Sequence, residues 1–221
     1  MPITVIQPAS SKQLTTLAQV INDLDIPVAD VAAKSYFLSK LIVQASNFIR
    51  NYTGREFAVE TVEETFVGNG RVIYTVSRTP IISVEYVKLS GTTIDPSLYL
   101  IQDPDAGFLY KETGWNPTFF VDGFIEPRWS QYGRFNWAVK YTAGYVLPDD
   151  EEDRTLPDEI ERVCLDLIKS YYYDQKRNPS IVREKIGESA VWFTGSTGTP
   201  TTNSYNLPDS IIATLDRWKE V

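Results

Sequence analysis

Histidine is absent from this chain of 221 residues. With it go the commonest proton-transfer side chain at neutral pH and the commonest zinc ligand. No Ser–His or Cys–His nucleophile can be assembled, and only carboxylate or lysine catalysis stays formally open. Cysteine occurs once, as Cys164, which excludes an intrachain disulfide and fits assembly in a reducing cytoplasm. Positive charge is short: 21 Lys and Arg stand against 29 Asp and Glu, a net charge of −8. A surface that grips phosphate needs the opposite balance, whereas a wall that lets DNA slide past does not. No apolar run nears the ~20 residues of a bilayer span, so no membrane is implied. Met1-Pro2-Ile3-Thr4 has neither the basic nor the apolar part of a secretory signal. Asp149-Asp150-Glu151-Glu152-Asp153 lacks the alternating ligands and central glycine of a calcium loop and reads as solvated acid. The expectation is a chain without cofactor, without metal and without catalytic residues.

What is present is a clear change of periodicity along the chain. Ser10-Ser11-Lys12-Gln13 has capping-box spacing, and Leu14, Leu17, Ala18, Ile21 and Leu24 follow at helical intervals. They predict a helix over Ser11–Leu24, closed at Asp25-Ile26-Pro27. A second helix is predicted over Asp30–Tyr52 from the stripe Leu38, Leu41, Ile42, Ala45, Phe48, Ile49 and Tyr52, with Gly54 as its left-handed C′ residue. From Glu60 to Tyr141 the chain is instead rich in Val, Ile, Thr, Tyr and Phe. Glu60–Val67 and Arg71–Ser77 flank Gly68-Asn69-Gly70, which predicts a hairpin; the glycines lack the Lys-Ser/Thr pair of a phosphate loop. Further strands are predicted at Ile82–Leu89, Tyr99–Gln102, Phe108–Tyr110 and Phe135–Tyr141.

Leu156-Pro157-Asp158-Glu159 starts a third helix, with proline at the first position and acids in the first turn. Its stripe of Ile160, Val163, Cys164, Leu167, Ile168 and Tyr171 runs to about Asp174, and Cys164 on that stripe reads as a small core residue. In Tyr171-Tyr172-Tyr173 core and interface roles both stay open. Ile181–Phe193 fits either a strand or an extended arm. Gly195–Asn206 has linker composition. Leu207-Pro208-Asp209-Ser210 then opens a short last helix whose apolar stripe is Ile211, Ile212, Leu215 and Trp218.

Trp115 to Trp137 holds Phe119, Phe120, Phe124, Trp129, Tyr132 and Phe135 between its two tryptophans. A loop this aromatic cannot simply be solvated. It covers the β region as a satellite core, meets another protein, or forms a platform on which sugar rings stack. The fold class that follows is α+β: a helical body with a small antiparallel β module between the second and third helices, plus a flexible C-terminal arm. The expected divisions are 1–58 and 145–193 for the body, 59–144 for the module, and 194–221 for linker and docking helix.

Four stretches carry a resemblance. Ile49-Arg50-Asn51-Tyr52-Thr53-Gly54-Arg55-Glu56-Phe57 resembles the "YTGR-x-F" helix ending of tailed-bacteriophage head–tail connector (adaptor, head completion) proteins. Arg78-Thr79-Pro80-Ile81-Ile82-Ser83-Val84 resembles their "R-x-P-V/I-x-S-V" stretch. Val139-Lys140-Tyr141-Thr142-Ala143-Gly144-Tyr145 resembles their "V-x-Y-x-A-G-Y", and Leu156-Pro157-Asp158-Glu159-Ile160 the start of their third long helix. The matches run in order from about Leu14 to Tyr173. The resemblance implies a structural virion protein, made in the host cytoplasm and placed in the neck. There a ring of itself, typically twelve copies, docks under the portal protein, meets a stopper or tail-completion protein, and passes DNA through its lumen without specific binding. For the stripe Leu207, Ile211, Ile212, Leu215 and Trp218, docking on the chain's own body and on the portal both stay open, and the resemblance favours the portal. Phe119, Phe120, Phe124, Trp129 and Tyr132 are the candidates for contact with a neighbouring subunit or the tail. The reading from another class is a glycan-binding module using residues 115–137.

Overall fold

A computed structural model of the chain describes residues 2–116, 119–121, 124–126, 136–149, 153–176, 183–186, 189–192 and 209–219. The fold is α+β, and the described strands lie between the second and third helices, except one before the first helix and two between the third and fourth. The strands are β1 (Ile3–Gln7), β2 (Glu60–Phe66), β3 (Ile73–Thr75), β4 (Ile81–Leu89), β5 (Thr92–Thr93), β6 (Leu100–Asp103), β7 (Phe108–Tyr110), β8 (Phe119–Val121), β9 (Phe124–Glu126), β10 (Trp137–Ala143), β11 (Arg183–Ile186) and β12 (Ser189–Trp192). The helices are α1 (Leu17–Asp23), α2 (Val28–Thr53), α3 (Asp158–Lys176) and α4 (Asp209–Arg217). Two compact units result, one from residues 1–11, 56–147 and 152–155, the other from 12–55, 148–151 and 156–221.

The first unit is the β module. Its main sheet has the order β1-β2-β10-β4-β5, all antiparallel, and a second sheet has the order β3-β7-β6. β2 and β10 sit centrally and alternate buried and half-buried residues along their whole length, as strands with one face on a core must. Val62, Phe66, Val87, Val139 and Tyr141 meet Tyr74 and Leu109 of the second sheet, with Trp115 and Trp137 in the same core. Trp115 is fully buried and stands edge-on to Trp137 at 5.0 Å. Burying one indole of ~200 Å² is worth about 5 kcal/mol gross at ~25 cal/mol/Å². Ser90 and Gly91, with φ of 50° and 88°, make the two-residue turn from β4 to β5.

Three sequence expectations change here. Gly68-Asn69-Gly70 is not a hairpin turn: β2 and β3 belong to different sheets. The glycines serve close packing instead. A Cβ on Gly68 would lie 2.4 Å from the Trp115 carbonyl oxygen, and the Gly70 N–H donates to that same oxygen at 2.8 Å. β1 was not expected at all. The predicted aromatic loop contains a short hairpin, β8 with β9.

The second unit holds the helices. α2 runs from Val28 to Thr53 and stops where predicted, with Gly54 at φ 72° and its N–H on the Arg50 carbonyl. Its buried side, Leu38, Leu41, Ile42, Ala45 and Ile49, packs with Ile160, Val163, Cys164, Leu167 and Ile168 of α3. α1 is shorter than predicted, starting at Leu17 with Thr16 as the cap rather than Ser10 or Ser11. The reason is tertiary. The Leu14 N–H donates to Ser46 Oγ at 3.1 Å, and the Thr15 hydroxyl to Glu161 at 3.2 Å. Those bonds hold residues 14 and 15 in the core and out of the helix. The stretch left open at 181–193 contains a hairpin, β11 with β12. The predicted linker lies outside the described residues. Among the described residues no helix is long and apolar enough to cross a membrane.

Candidate assembly interface

The most elaborate polar arrangement in the β module surrounds Glu64, a carboxylate on the inward side of β2 with no exposed surface. Its Oε1 accepts from the Tyr74 hydroxyl at 2.7 Å and the Ser77 hydroxyl at 2.9 Å. Its Oε2 accepts from the Tyr141 hydroxyl at 2.8 Å and the Ser77 N–H at 3.0 Å. Tyr141 in turn accepts from the Arg78 N–H at 3.1 Å. Burial, and then the neighbouring Glu64, push both phenols far above the usual tyrosine range. Four donors converge on one carboxylate, and no substrate can reach it. The arrangement ties β2, β10 and the segment after β3 together; it is a clamp, not a reaction centre.

Two of the resembling stretches supply Arg78 and Tyr141 to this clamp, and the last residue of a third, Phe57, joins them beside it. The Gly144 N–H donates to the Pro80 carbonyl at 2.9 Å, and the Tyr145 N–H to the Phe57 carbonyl at 2.7 Å. Phe57 is buried and stacks on Tyr145 at 6.5 Å. Gly144 has φ of 122°, and a Cβ there would lie 2.3 Å from the Ala58 carbonyl oxygen. Only glycine lets the chain leaving β10 pass this close to residues 57–59. Phe57, Pro80, Gly144 and Tyr145 of these motifs therefore serve the packing of the module.

The surfaces left outward are of three kinds. The outer side of the main sheet is polar: Tyr86 donates to Glu63, Lys140 pairs with Glu85 at 2.7 Å, and Thr61 and Thr142 share a hydroxyl bond of 2.9 Å. Its two edges carry exposed apolar side chains, Val5 and Ile6 on β1 and Ile82 on β4. On the helical unit, Val28, Tyr36 and Val43 stand exposed along α2, and Tyr173 at the end of α3. Among the described residues no group of three or more His, Cys, Asp or Glu could hold a metal ion.

Of the residues suggested for the portal, Ile211 and Leu215 are buried within the chain's own helical unit, where α4 packs on α2 and α3. Tyr52 donates to Asp216 at 2.9 Å, Arg217 pairs with Glu159 at 3.3 Å, and Arg55 lies over the Trp218 ring at 5.8 Å. Ile212 and Trp218 are half-buried, and Leu207 lies outside the described residues. Of the loop residues, Phe119, Phe120 and Phe124 fall on β8 and β9, for which the backbone alone is described. Trp129 and Tyr132 lie outside the described residues. The loop's flanking tryptophans are core residues: Trp115 Nε1 donates to the Val72 carbonyl at 3.2 Å and Trp137 Nε1 to the Asn116 carbonyl at 2.9 Å. Neither offers a face to a sugar ring. In Tyr171-Tyr172-Tyr173 the middle ring is buried against Phe37, and Tyr173 is exposed.

Residues 13–221 match the sequence profile of the head completion protein family. The chain belongs to that family. It is thus a structural virion protein of the head–tail connector kind, as the four motifs suggested. No curated protein sequence matches it significantly. Among solved structures it is similar to a chain in the neck of an empty gene transfer agent (GTA) particle computed with C6 symmetry. The TM-score is 0.59 at 16% identity, covering 100% of this chain and 96% of that one. It is also similar to a chain in the neck of a native GTA particle computed with C12 symmetry, with TM-score 0.55 at 14% identity and the same coverage. At such identity the likeness establishes a shared fold from end to end.

Sequence reasoning missed Glu64 and β1. The signal for Glu64 was the alternation in Glu60-Thr61-Val62-Glu63-Glu64-Thr65-Phe66, which puts Glu64 on the same side as Val62 and Phe66. A carboxylate between two buried apolar residues on one strand face needs donors, and Tyr74, Ser77 and Tyr141 supply them.

Proposed function

We propose that the chain forms a ring in the virion neck that joins the capsid portal to the tail or its stopper and lengthens the channel for DNA. The observation that carries this is the end-to-end likeness of fold to chains of particle necks, one of them twelvefold, in a member of the head completion family. Its work is assembly and not chemistry. The net charge of −8 suits a conduit, because acidic walls repel phosphate and keep DNA from sticking as it passes. In this reading the residues of 119–132 meet a neighbouring subunit or the tail component. α4 keeps Ile211 and Leu215 on its own body and offers Ile212 and Trp218, with Leu207 before it, to the portal.

The test is removal of the gene from its virus. Filled capsids without tails should accumulate, and supplying the full chain to lysates of these capsids should restore joining to tails. Normal tailed particles from the deletion, or capsids that never fill, would contradict the proposal.

A further inference from the structure

The main sheet of the β module has two open edges of different make. Among the described residues β1 is the outermost strand on one side and pairs only with β2. On the other side β5 covers just Lys88 and Leu89 of β4. The Val87 carbonyl is taken by the Ile94 N–H and the Ile81 N–H by the Pro104 carbonyl. Between them Ile82–Tyr86 has no strand on its outer side among the described residues. That open run is five residues long, and β1 is also five residues long.

A lone edge is normally guarded by charge, because its unpaired N–H and C=O groups invite another strand. β1, Ile-Thr-Val-Ile-Gln, has no charged residue. Val5 is 42% exposed, Ile6 49%, and Ile82 on the opposite edge 52%. The faces also match. Val5 lies opposite Val62 and Val84 opposite Tyr141, so both central residues belong to the inward side of the sheet.

We propose that neighbouring copies join by sheet extension: β1 of one copy adds to the open run Ile82–Tyr86 on β4 of the next, antiparallel, centred near Val5 against Val84. The inference rests on the ring reading and names its contact. The strand polarity supports it. β1, β2, β10 and β4 alternate in direction, so β1 and β4 run oppositely within one copy. A copy generated by rotation alone then presents its β1 antiparallel to its neighbour's β4. Such a contact uses two different patches, and that is what a closed cyclic ring needs. A two-fold pair would instead bring β1 against β1. The bulges at Ile6 in β1 and along β4 increase local twist, and that twist supplies the curvature a ring of joined sheets requires.

The test exploits the single, buried Cys164. Thr4→Cys or Ile6→Cys is combined with Ser83→Cys or Glu85→Cys in the full chain. Each variant is oxidised at ring-forming concentration, alone and with its virus's portal, and run on a non-reducing gel. At least one double variant should give a ladder of covalent multimers, while each single variant stays monomeric. Dimers from Thr4→Cys or Ile6→Cys alone would mean β1 meets β1 and would overturn the proposal. Rings seen by electron microscopy with no cross-link in any double variant would place the contact elsewhere and spare the ring reading. Absence of rings under both conditions would sink both. Val5→Lys with Ile6→Lys should abolish rings while leaving the monomer folded, with a small drop in melting temperature, since the two side chains are 42% and 49% exposed; persistence of rings in that folded variant would also overturn the proposal.

Discussion

Replacing Glu64 tests whether the buried clamp stabilises the β module or merely survives in it. A buried carboxylate carries an effective desolvation cost of several kcal/mol, so its net worth depends on the donors it gathers. Here there are four, between 2.7 and 3.0 Å. Glu64→Ala strands the Tyr74 and Tyr141 hydroxyls and the Ser77 N–H, at ~1–3 kcal/mol for each donor left unsatisfied. Relief of the desolvation cost offsets part of that, which leaves a loss of about 3–5 kcal/mol, the range for breaking a buried charged pair. Glu64→Gln keeps the shape. Its amide oxygen can accept from Ser77 N–H and Tyr141, while the Tyr74 and Ser77 hydroxyls turn to accept from its NH₂. All four charge-assisted bonds become neutral ones, two of them with donor and acceptor exchanged, for a loss of about 1–3 kcal/mol. Urea unfolding followed by tryptophan fluorescence reads this directly, since Trp115 and Trp137 lie in the same core. The expected order of midpoints is wild type, then Gln, then Ala. A Glu64→Gln protein as stable as wild type would mean the desolvation cost cancels the four bonds, and the clamp argument would be wrong.

Three further outcomes are expected. Gly144→Ala should cost ~3 kcal/mol or more and lower soluble yield, because its Cβ would overlap the Ala58 carbonyl and φ is 122°; a melting temperature within a degree of wild type refutes this. Stability should fall steeply above pH 10, by about 2.7 kcal/mol per pH unit, since the unfolded chain releases two phenol protons that folded Tyr74 and Tyr141 retain. Cys164, whose thiol burial pushes up to about 12, adds a third retained proton from pH 9 upward and brings the combined slope above pH 10 to about 4 kcal/mol per unit; an unfolding free energy flat to pH 11 contradicts both. Leu215→Ala should destabilise the helical unit by ~2–5 kcal/mol, because Leu215 is fully buried there, and thermal melts of the variant measure it.

The parts legible in the sequence were those set by local periodicity. The apolar stripes gave α2 and α3 to within a few residues. β-branched and aromatic composition with flanking turn residues located β4, β7 and β10, and the four motifs pointed to the family. What escaped was decided by partners far along the chain. β1 is five residues between Pro2 and Pro8, and the strand it pairs with, β2, begins more than fifty residues later. The start of α1 was lost to Ser46 and Glu161, which take the Leu14 N–H and the Thr15 hydroxyl. The Gly-Asn-Gly turn obeyed the backbone of Trp115 instead of the strands beside it. Glu64 was hidden because a charged residue in a strand reads as solvent-facing unless its donors are known.

Reconstruction of the virion neck by cryo-electron microscopy tests the central claim most directly. This fold should recur around the DNA channel between portal and tail, twelve copies under a twelvefold average, with a net negative surface lining the lumen. A neck complete without this chain, or the chain bound as isolated copies away from the channel, contradicts it.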